Sequence, residues 1–221
     1  MKSIKKAVHN KNDNLYTPKI LAESILPYVE EFYYKHESQT LTIWCPFDTA
    51  DSEIVIALNS LSEKLDNKIK LIVTHISNGD DFFTMDIPEC DLVVSNPPFS
   101  RKLDVLKRLE HFVIPYCLLI NLMALNYNEI NYFLADNCDY DSKHLLIVDK
   151  KVSFDGRTSS FNTSWIINDY RNCTSVRFVH LQHDNRGVNF VPSKMLCSNC
   201  KLCDGTLSGL ECINKRGLNV K

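Results

Sequence analysis

Asp91-Leu92-Val93-Val94-Ser95-Asn96-Pro97-Pro98-Phe99-Ser100 is the stretch on which the reading of this chain turns. Asp91 to Ser95 predicts a strand, and its continuous apolar centre, Leu92-Val93-Val94, is the pattern of a strand covered on both faces. Two prolines end it, each fixing φ and removing a backbone donor. Ser100 stands where a helix cap is expected, before Leu103, Leu106 and Leu109 at helical spacing. The segment therefore predicts strand, rigid turn, helix.

The same rhythm extends in both directions. Upstream, 41–44 and 69–74 predict strands, separated by a helix that Ser52 caps and whose face holds Ile54, Ala57, Leu58, Leu61 and Leu65. Earlier still, Thr17 as N-cap and Pro18 in the first turn predict a helix with Leu21, Ile25, Tyr28 and Phe32 on one side; Pro27 should kink or split it. Downstream, 116–120 predicts a buried strand, 126–135 a helix and 145–148 another strand. Strands alternating with helices imply βαβ units and a mostly parallel sheet covered on both faces. From about residue 150 the rhythm changes: 164–167 and 176–179 predict strands with no helix between them, hence an antiparallel edge. The fold class is α/β, an open sheet, and ligands in such sheets bind beyond the carboxyl ends of the strands. The stretch beginning at Asn96 sits there.

Composition narrows the class. The 221 residues are 44% hydrophobic and 24% charged, enough to bury a core, and 6 Gly with 8 Pro argue against a linker. No run approaches the ~18 apolar residues of a spanning helix. The basic start, Met1-Lys2-Ser3-Ile4-Lys5-Lys6, leads into polar residues, so neither secretion nor membrane insertion is expected and the cytoplasm is. The net charge of −2 hides an asymmetry. Residues 145–221 hold 11 Lys and Arg against 6 Asp and Glu, whereas 1–144 hold 14 against 21. A polyanionic partner would be held by the C-terminal third. Five of the nine cysteines (45, 90, 117, 138 and 173) are scattered singly, as buried free thiols are. Cys197, Cys200, Cys203 and Cys212 crowd together at spacing that suits tetrahedral structural zinc. His180 or His183 is an alternative ligand, an iron–sulfur cluster an alternative occupant, and four incidental cysteines that hold no metal the main alternative to zinc. The domain organisation expected is a mobile basic segment over 1–15, the α/β domain over 16–182, and a Cys-rich tail over 183–221.

The chemistry lies in Asn96-Pro97-Pro98-Phe99. Its prolines leave the carbonyls and the Asn96 side chain as rigid acceptors, with an aromatic ring beside them. Such acceptors take both hydrogens of a planar amino group while Phe99 stacks on the plane, and the nitrogen lone pair is turned toward an electrophile. The tetrapeptide after a sheet strand resembles the catalytic motif of amino-methyltransferases that use S-adenosylmethionine, above all the N6-adenine DNA methyltransferases. The resemblance implies a Rossmann-like methyltransferase sheet and catalytic roles for Asn96, Pro97, Pro98 and Phe99.

Other segments match in the order that family requires, across about residues 10 to 125. Tyr16-Thr17-Pro18 resembles the element that lies over the methyl donor. Trp44-Cys45-Pro46-Phe47-Asp48 occupies the first strand–loop–helix turn, and Asp80-Asp81-Phe82-Phe83 falls where family members contact the donor's adenine. Together with Thr74-His75-Ile76 these segments are similar to small phage-type adenine methyltransferases akin to the EcoRI modification enzyme. Two departures stand out. No glycine lies between Cys45 and Ser60, and the acid expected after the second strand is replaced by His75. On the resemblance, the donor contacts are Tyr16, Thr17, Pro18, Pro46, Phe47, Asp48, Asp51, His75, Asp81 and Phe82, with Asp48 or Asp51 for its ammonium group.

The implied reaction is methyl transfer from S-adenosylmethionine to the N6 amino group of adenine in DNA, on a base flipped out or single-stranded. Aromatics of the loop 152–161, with Arg157, are candidates for contact with nucleic acid, and a plain surface loop suits them equally; Arg101, Lys102, Lys107 and Arg108 are further candidates, for which a solvated helix face is the better reading. An RNA base methyltransferase (adenine-N6 or guanine-N2), a protein glutamine methyltransferase and a catalytically silent nucleic-acid-binding module remain alternatives. The basic C-terminal third favours nucleic acid, and DNA over RNA only by the resemblance.

Overall fold

The computed structural model describes residues 16–36, 39–126, 143–148, 151–154, 162–170 and 175–179. The element order is α1 (Lys19–Ser24), α2 (Leu26–Lys35), β1 (Leu41–Cys45), α3 (Glu53–Lys64), β2 (Ile69–Val73), β3 (Leu92–Ser95), α4 (Lys102–His111), β4 (Tyr116–Asn121), β5 (Lys143–Val148), β6 (Thr163–Asn168) and β7 (Ser175–Val179). The strands form one sheet ordered β2-β1-β3-β4-β6-β5-β7. All neighbours pair in parallel except those of β6, which runs antiparallel to both β4 and β5. The antiparallel pairing expected at this end of the sheet is present, and the strand that makes it lies inside, between β4 and β5. β7 is outermost and parallel to β5. The direct 163–168 strand returns from the carboxyl edge, so it fills the gap that two parallel strands leave between them.

Period-two alternation sends successive residues to opposite faces. Ile43, Cys45, Val94, Cys117, Leu119, Trp165 and Ile167 pack under α1, α2 and α3. Trp44, Val93, Tyr116, Leu118, Ile120 and Ile166 pack with Val105, Leu106 and Leu109 of α4. Ser52 caps α3 as expected, accepting from the Val55 N–H, and the helix buries Ile54, Val55, Ala57, Leu58 and Leu61. Pro27 splits the N-terminal helix, and the break falls at Ile25, which ends α1 and begins α2.

Two caps differ from expectation. Pro18, not Thr17, is the N-cap of α1: its extended ψ of 144° and its carbonyl, which accepts from Leu21 and Ala22 N–H, start the helix, while Thr17 is buried. Ser100 does not cap α4 either. The constrained backbone of Pro98 leads into a 3-10 turn over Phe99–Arg101, and Ser100 lies within that turn. The helix expected over 126–135 lies outside the described residues, apart from Asn126, which ends a 3-10 turn over Leu122–Asn126.

Buried polar contacts tie the N-terminal helices to β6. The Trp165 Nε1–H donates to Ser24 Oγ at 2.9 Å, and Ser24 Oγ donates to the Leu21 carbonyl at 2.6 Å. The Tyr28 hydroxyl donates to Asp169, whose other oxygen lies 3.3 Å from His144 Nε2. On the opposite face, Glu110 of α4 accepts from the Tyr116 hydroxyl and from Asn168 Nδ2. Cys45 and Cys117 are buried free thiols and Cys90 is half-buried; burial pushes the Cys45 thiol well above its ordinary range. Among the described residues no helix is long and apolar enough to cross a membrane.

Candidate functional site at the carboxyl ends of the strands

β1, β2 and β3 are adjacent and parallel, so the segments that leave them emerge side by side. These are the turn from Cys45 to Ser52, the Thr74-His75 segment, and Asn96-Pro97-Pro98-Phe99. The sequence separates them by tens of residues, and the sheet order brings them together. β3 pairs on its other side with β4, so the tetrapeptide leaves the sheet near its middle.

One buried carboxylate joins the first turn to the tetrapeptide. Asp48 is 5% exposed. It accepts from Ser52 Oγ at 2.9 Å and from Ser95 Oγ on its other oxygen. Ser52 is the cap of α3 and Ser95 the residue before Asn96. Burial pushes the Asp48 carboxyl up from 3.8 to about 6, and the two hydroxyls oppose that rise. Asp51, in contrast, is exposed, and the Thr49 hydroxyl donating to it holds its carboxyl below the ordinary range. Of the two acids considered for a ligand's ammonium group, Asp51 presents its charge to solvent and Asp48 is enclosed in hydroxyls.

The turn needs no glycine to close. Positive φ among the described non-glycine residues occurs only at Asp66, Asn67, Val113 and Tyr170, none of them in this turn. Pro46 is buried and Phe47 half-buried. The Phe47 ring lies 4.8 Å from that of Phe82, which stacks on Trp44 at 5.4 Å. Phe82 is 2% exposed and belongs to the core, so its neighbour Phe83, half-buried, is the ring nearer the surface. Asp81, also half-buried, is held by accepting from the Phe83 N–H at 2.9 Å. Trp44 Nε1–H donates to Thr74 Oγ1 at 2.9 Å, which fixes the end of β2 to β1. His75 follows, half-buried, and accepts on Nδ1 from the Ser77 N–H at 3.1 Å.

Around the tetrapeptide, Pro97 is buried while Asn96, Pro98 and Phe99 are half-buried. The Phe99 ring meets Phe154 edge-on, with centroids 6.3 Å apart. Phe154, one of the loop aromatics that are candidates for contact with nucleic acid, is therefore beside the ring expected to stack on a base. The basic residues after the motif divide. The Arg101 guanidinium lies 3.4 Å over the Phe83 ring, and Arg108 donates to the Met85 carbonyl at 2.7 Å, so both face the 80–87 segment. Lys107 is exposed, and Lys102 Nζ is 5.9 Å from the Phe99 ring centroid.

Tyr16 is 75% exposed at the entrance to α1, with Thr17 buried and Pro18 half-buried behind it. Sequence reasoning missed Ser95 and the stacking of Arg101 on Phe83. A Ser ending a strand gives no local signal, and the Arg101–Phe83 stack joins segments that only the fold makes neighbours. Among the described residues no group of three or more His, Cys, Asp and Glu is arranged to hold a metal. Cys197, Cys200, Cys203 and Cys212, with the basic segment 1–15 and the whole of the tail 183–221, lie outside the described residues.

By sequence, no family model and no curated protein matches the chain. By structure it is similar to the methyltransferase subunit of a type I restriction-modification system from Streptococcus thermophilus, with a TM-score of 0.53 at 14% identity over 82% of this chain and 51% of that one. It is similar also to a modification subunit of a type I restriction enzyme from Vibrio vulnificus, with a TM-score of 0.50 at 9% identity, covering 81% of this chain and 50% of that one. A third neighbour, described as a class I S-adenosylmethionine-dependent methyltransferase from Listeria monocytogenes, gives a TM-score of 0.55 at 11% identity, over 78% of this chain and 67% of that one. The chain thus spans about half the length of the two restriction-system subunits. At these identities the likeness is one of fold alone, the mostly parallel α/β sheet that the chain shares with these methyltransferase structures.

Proposed function

We propose that the chain transfers a methyl group from S-adenosylmethionine to the N6 amino group of adenine in DNA. One observation carries the reading: Asn96-Pro97-Pro98-Phe99 leaves β3 at its carboxyl end beside the β1–α3 turn, with Phe99 edge-on to Phe154. The residues around the adjoining strand ends fit the donor. It is a cation with an adenine ring, and they offer the exposed carboxylate of Asp51, the half-buried Asp81, and the rings of Phe47 and Phe83. When bound, the donor supplies a methyl group on a sulfonium, an electrophile that needs only a nitrogen lone pair in line with it.

The chain's own residues then have a positioning task. The Asn96 side-chain oxygen and the Pro97 carbonyl accept the two amino hydrogens of the target base. Phe99 stacks on its plane and Phe154 closes the side. Holding both hydrogens turns the nitrogen lone pair out of conjugation toward the methyl group. The methylated nitrogen is acidic and loses its proton to water, so no strong general base is required. Asp48 keeps Ser95, and through it Asn96, in register with the turn.

The test is transfer of labelled methyl to DNA, with RNA and protein as parallel acceptors. DNA labelling that disappears in Asn96→Ala, with donor affinity retained, supports the reading. Labelling of RNA or protein instead moves the substrate class, and an Asn96→Ala variant near the wild-type rate removes Asn96 from the chemistry. Failure to bind the donor, with or without nucleic acid, points to the silent binding module.

A further inference from the structure

We infer that His75 reads one ribose hydroxyl of the donor nucleoside by donating a hydrogen bond from Nε2, the inverse of what a carboxylate does there. The inference rests on the proposed use of S-adenosylmethionine. In nucleotide-binding α/β sheets an acid near the end of the second strand accepts from the ribose hydroxyls. This chain has Thr74-His75 at that point. Thr74 cannot take the acid's place, because it is buried and its Oγ1 already accepts from Trp44.

The protonation pattern of His75 follows from its neighbours. A backbone N–H only donates, so the Ser77 N–H, 3.1 Å from Nδ1, requires a lone pair there. The Ser77 hydroxyl, 2.6 Å away, lies on the same nitrogen. In the neutral ring the proton is therefore on Nε2. That N–H has no partner among the described residues, and the side chain is half-buried beyond β2, which pairs along its whole length with β1. Gly79, with φ of 92°, accepts the left-handed turn that carries the chain back, and its N–H bonds to Ile76 O, so the 3-10 turn holding Ser77 is closed. The ring is thus held by one edge and offers a single donor at the other.

A single donor has a consequence that a carboxylate lacks. An acid accepts from both ribose hydroxyls, whereas one N–H requires a lone pair on one of them. Loss of one hydroxyl oxygen should weaken binding and loss of the other should matter much less.

The experiment is calorimetric titration of the full chain with S-adenosylhomocysteine and with its 2′-deoxy and 3′-deoxy forms. In the wild type one deoxy form should bind about three- to tenfold more weakly, the effect of one hydrogen bond, and the other nearly as well as the parent. His75→Asn keeps an acceptor for the Ser77 N–H and removes the outer donor. It should bind the parent about three- to tenfold more weakly and lose the difference between the deoxy forms. His75→Gln, which restores a donor at similar reach, should recover part of both. Nitrogen NMR of the unliganded protein gives a reading independent of binding: Nδ1 should be the unprotonated nitrogen of the neutral ring. A His75→Asn variant with wild-type affinity and an unchanged deoxy difference overturns the inference alone, as does a proton found on Nδ1. A wild type that binds none of the three ligands overturns it together with the proposed function.

Discussion

Asp48→Asn should make the protein more stable at neutral pH and remove part of its pH dependence. The carboxyl is 5% exposed and its pKa is raised from 3.8 to about 6. Burial is the largest cause, and the bonds from Ser95 and Ser52 recover only part of the cost. For a carboxyl raised on folding, the native state holds the proton more tightly than the unfolded chain. Stability is then highest below about pH 4, falls as pH rises toward about 6, and is level above that. Two pKa units correspond to about 3 kcal/mol, the cost of keeping Asp48 ionised in place at pH 7.

Asparagine has the same shape without the charge. Its oxygen can accept from Ser52, whose own oxygen lies 3.4 Å from the Val55 N–H, and its amide can donate to a rotated Ser95 hydroxyl. Imperfect reorientation takes back part of the gain, so a net stabilisation of about 1–2 kcal/mol is expected at pH 7.5. Urea unfolding of both proteins between pH 4 and 8 reads it. The difference between variant and wild type should grow by about 2–3 kcal/mol from pH 4 to pH 6.5 and then level off. Other carboxyls cancel in that difference. A difference that stays constant across the range would refute the buried, proton-preferring Asp48 and the desolvation argument with it.

Three further outcomes follow from the packing. Val113 is 64% exposed at φ 55°, closing α4 with its N–H on Glu110 O and the next N–H on Leu109 O, a position that favours glycine. Val113→Gly should raise stability by about 0.5–1 kcal/mol, seen as a Tm higher by roughly 2 °C; a lower Tm would mean that the left-handed turn is not costly here. Tyr28→Phe leaves the buried Asp169 carboxylate with one donor fewer and should cost about 1–3 kcal/mol in urea unfolding. Loss below about 0.5 kcal/mol would show that water replaces the hydroxyl. Phe154→Ala should lower methyl transfer about tenfold at subsaturating DNA while leaving donor affinity unchanged, measured with labelled donor; equal turnover would remove Phe154 from the target pocket.

Where the sequence carried a local period, the elements were legible. Leu92-Val93-Val94 before two prolines, and Ile54, Ala57, Leu58 and Leu61 behind Ser52, became β3 and α3 with boundaries within a residue or two. Caps were less legible. A side-chain cap and a proline turn compete for the same few residues, and at Thr17-Pro18 and Pro98-Phe99-Ser100 the fixed proline backbone decided the start. The position of β6 was not legible, because sequence marks a strand and not its neighbours. For the site, the tetrapeptide announced itself through an unusual residue order. The Ser95–Asp48 bond spans 47 residues and joins two ordinary side chains, so no local pattern points to it.

That bond also bears on the missing glycines. A glycine-rich turn serves two ends: it permits left-handed backbone, and it lets a ligand approach the main chain without a Cβ in the way. Here the first end is not needed, since no residue of the turn after β1 has positive φ. The turn instead holds its shape from within. Pro46 is buried beneath it, Asp48 reaches inward to Ser52 and Ser95, and Thr49 donates to Asp51. What a glycine would add is only space, and the side chains facing outward at this point include a carboxylate that a cationic ligand can use. A glycine-free turn with an inward acid and an outward acid is thus compatible with binding a sulfonium nucleoside. It exchanges close main-chain contact for charge, so donor affinity should weaken with added salt more than a contact made by backbone N–H groups alone would allow.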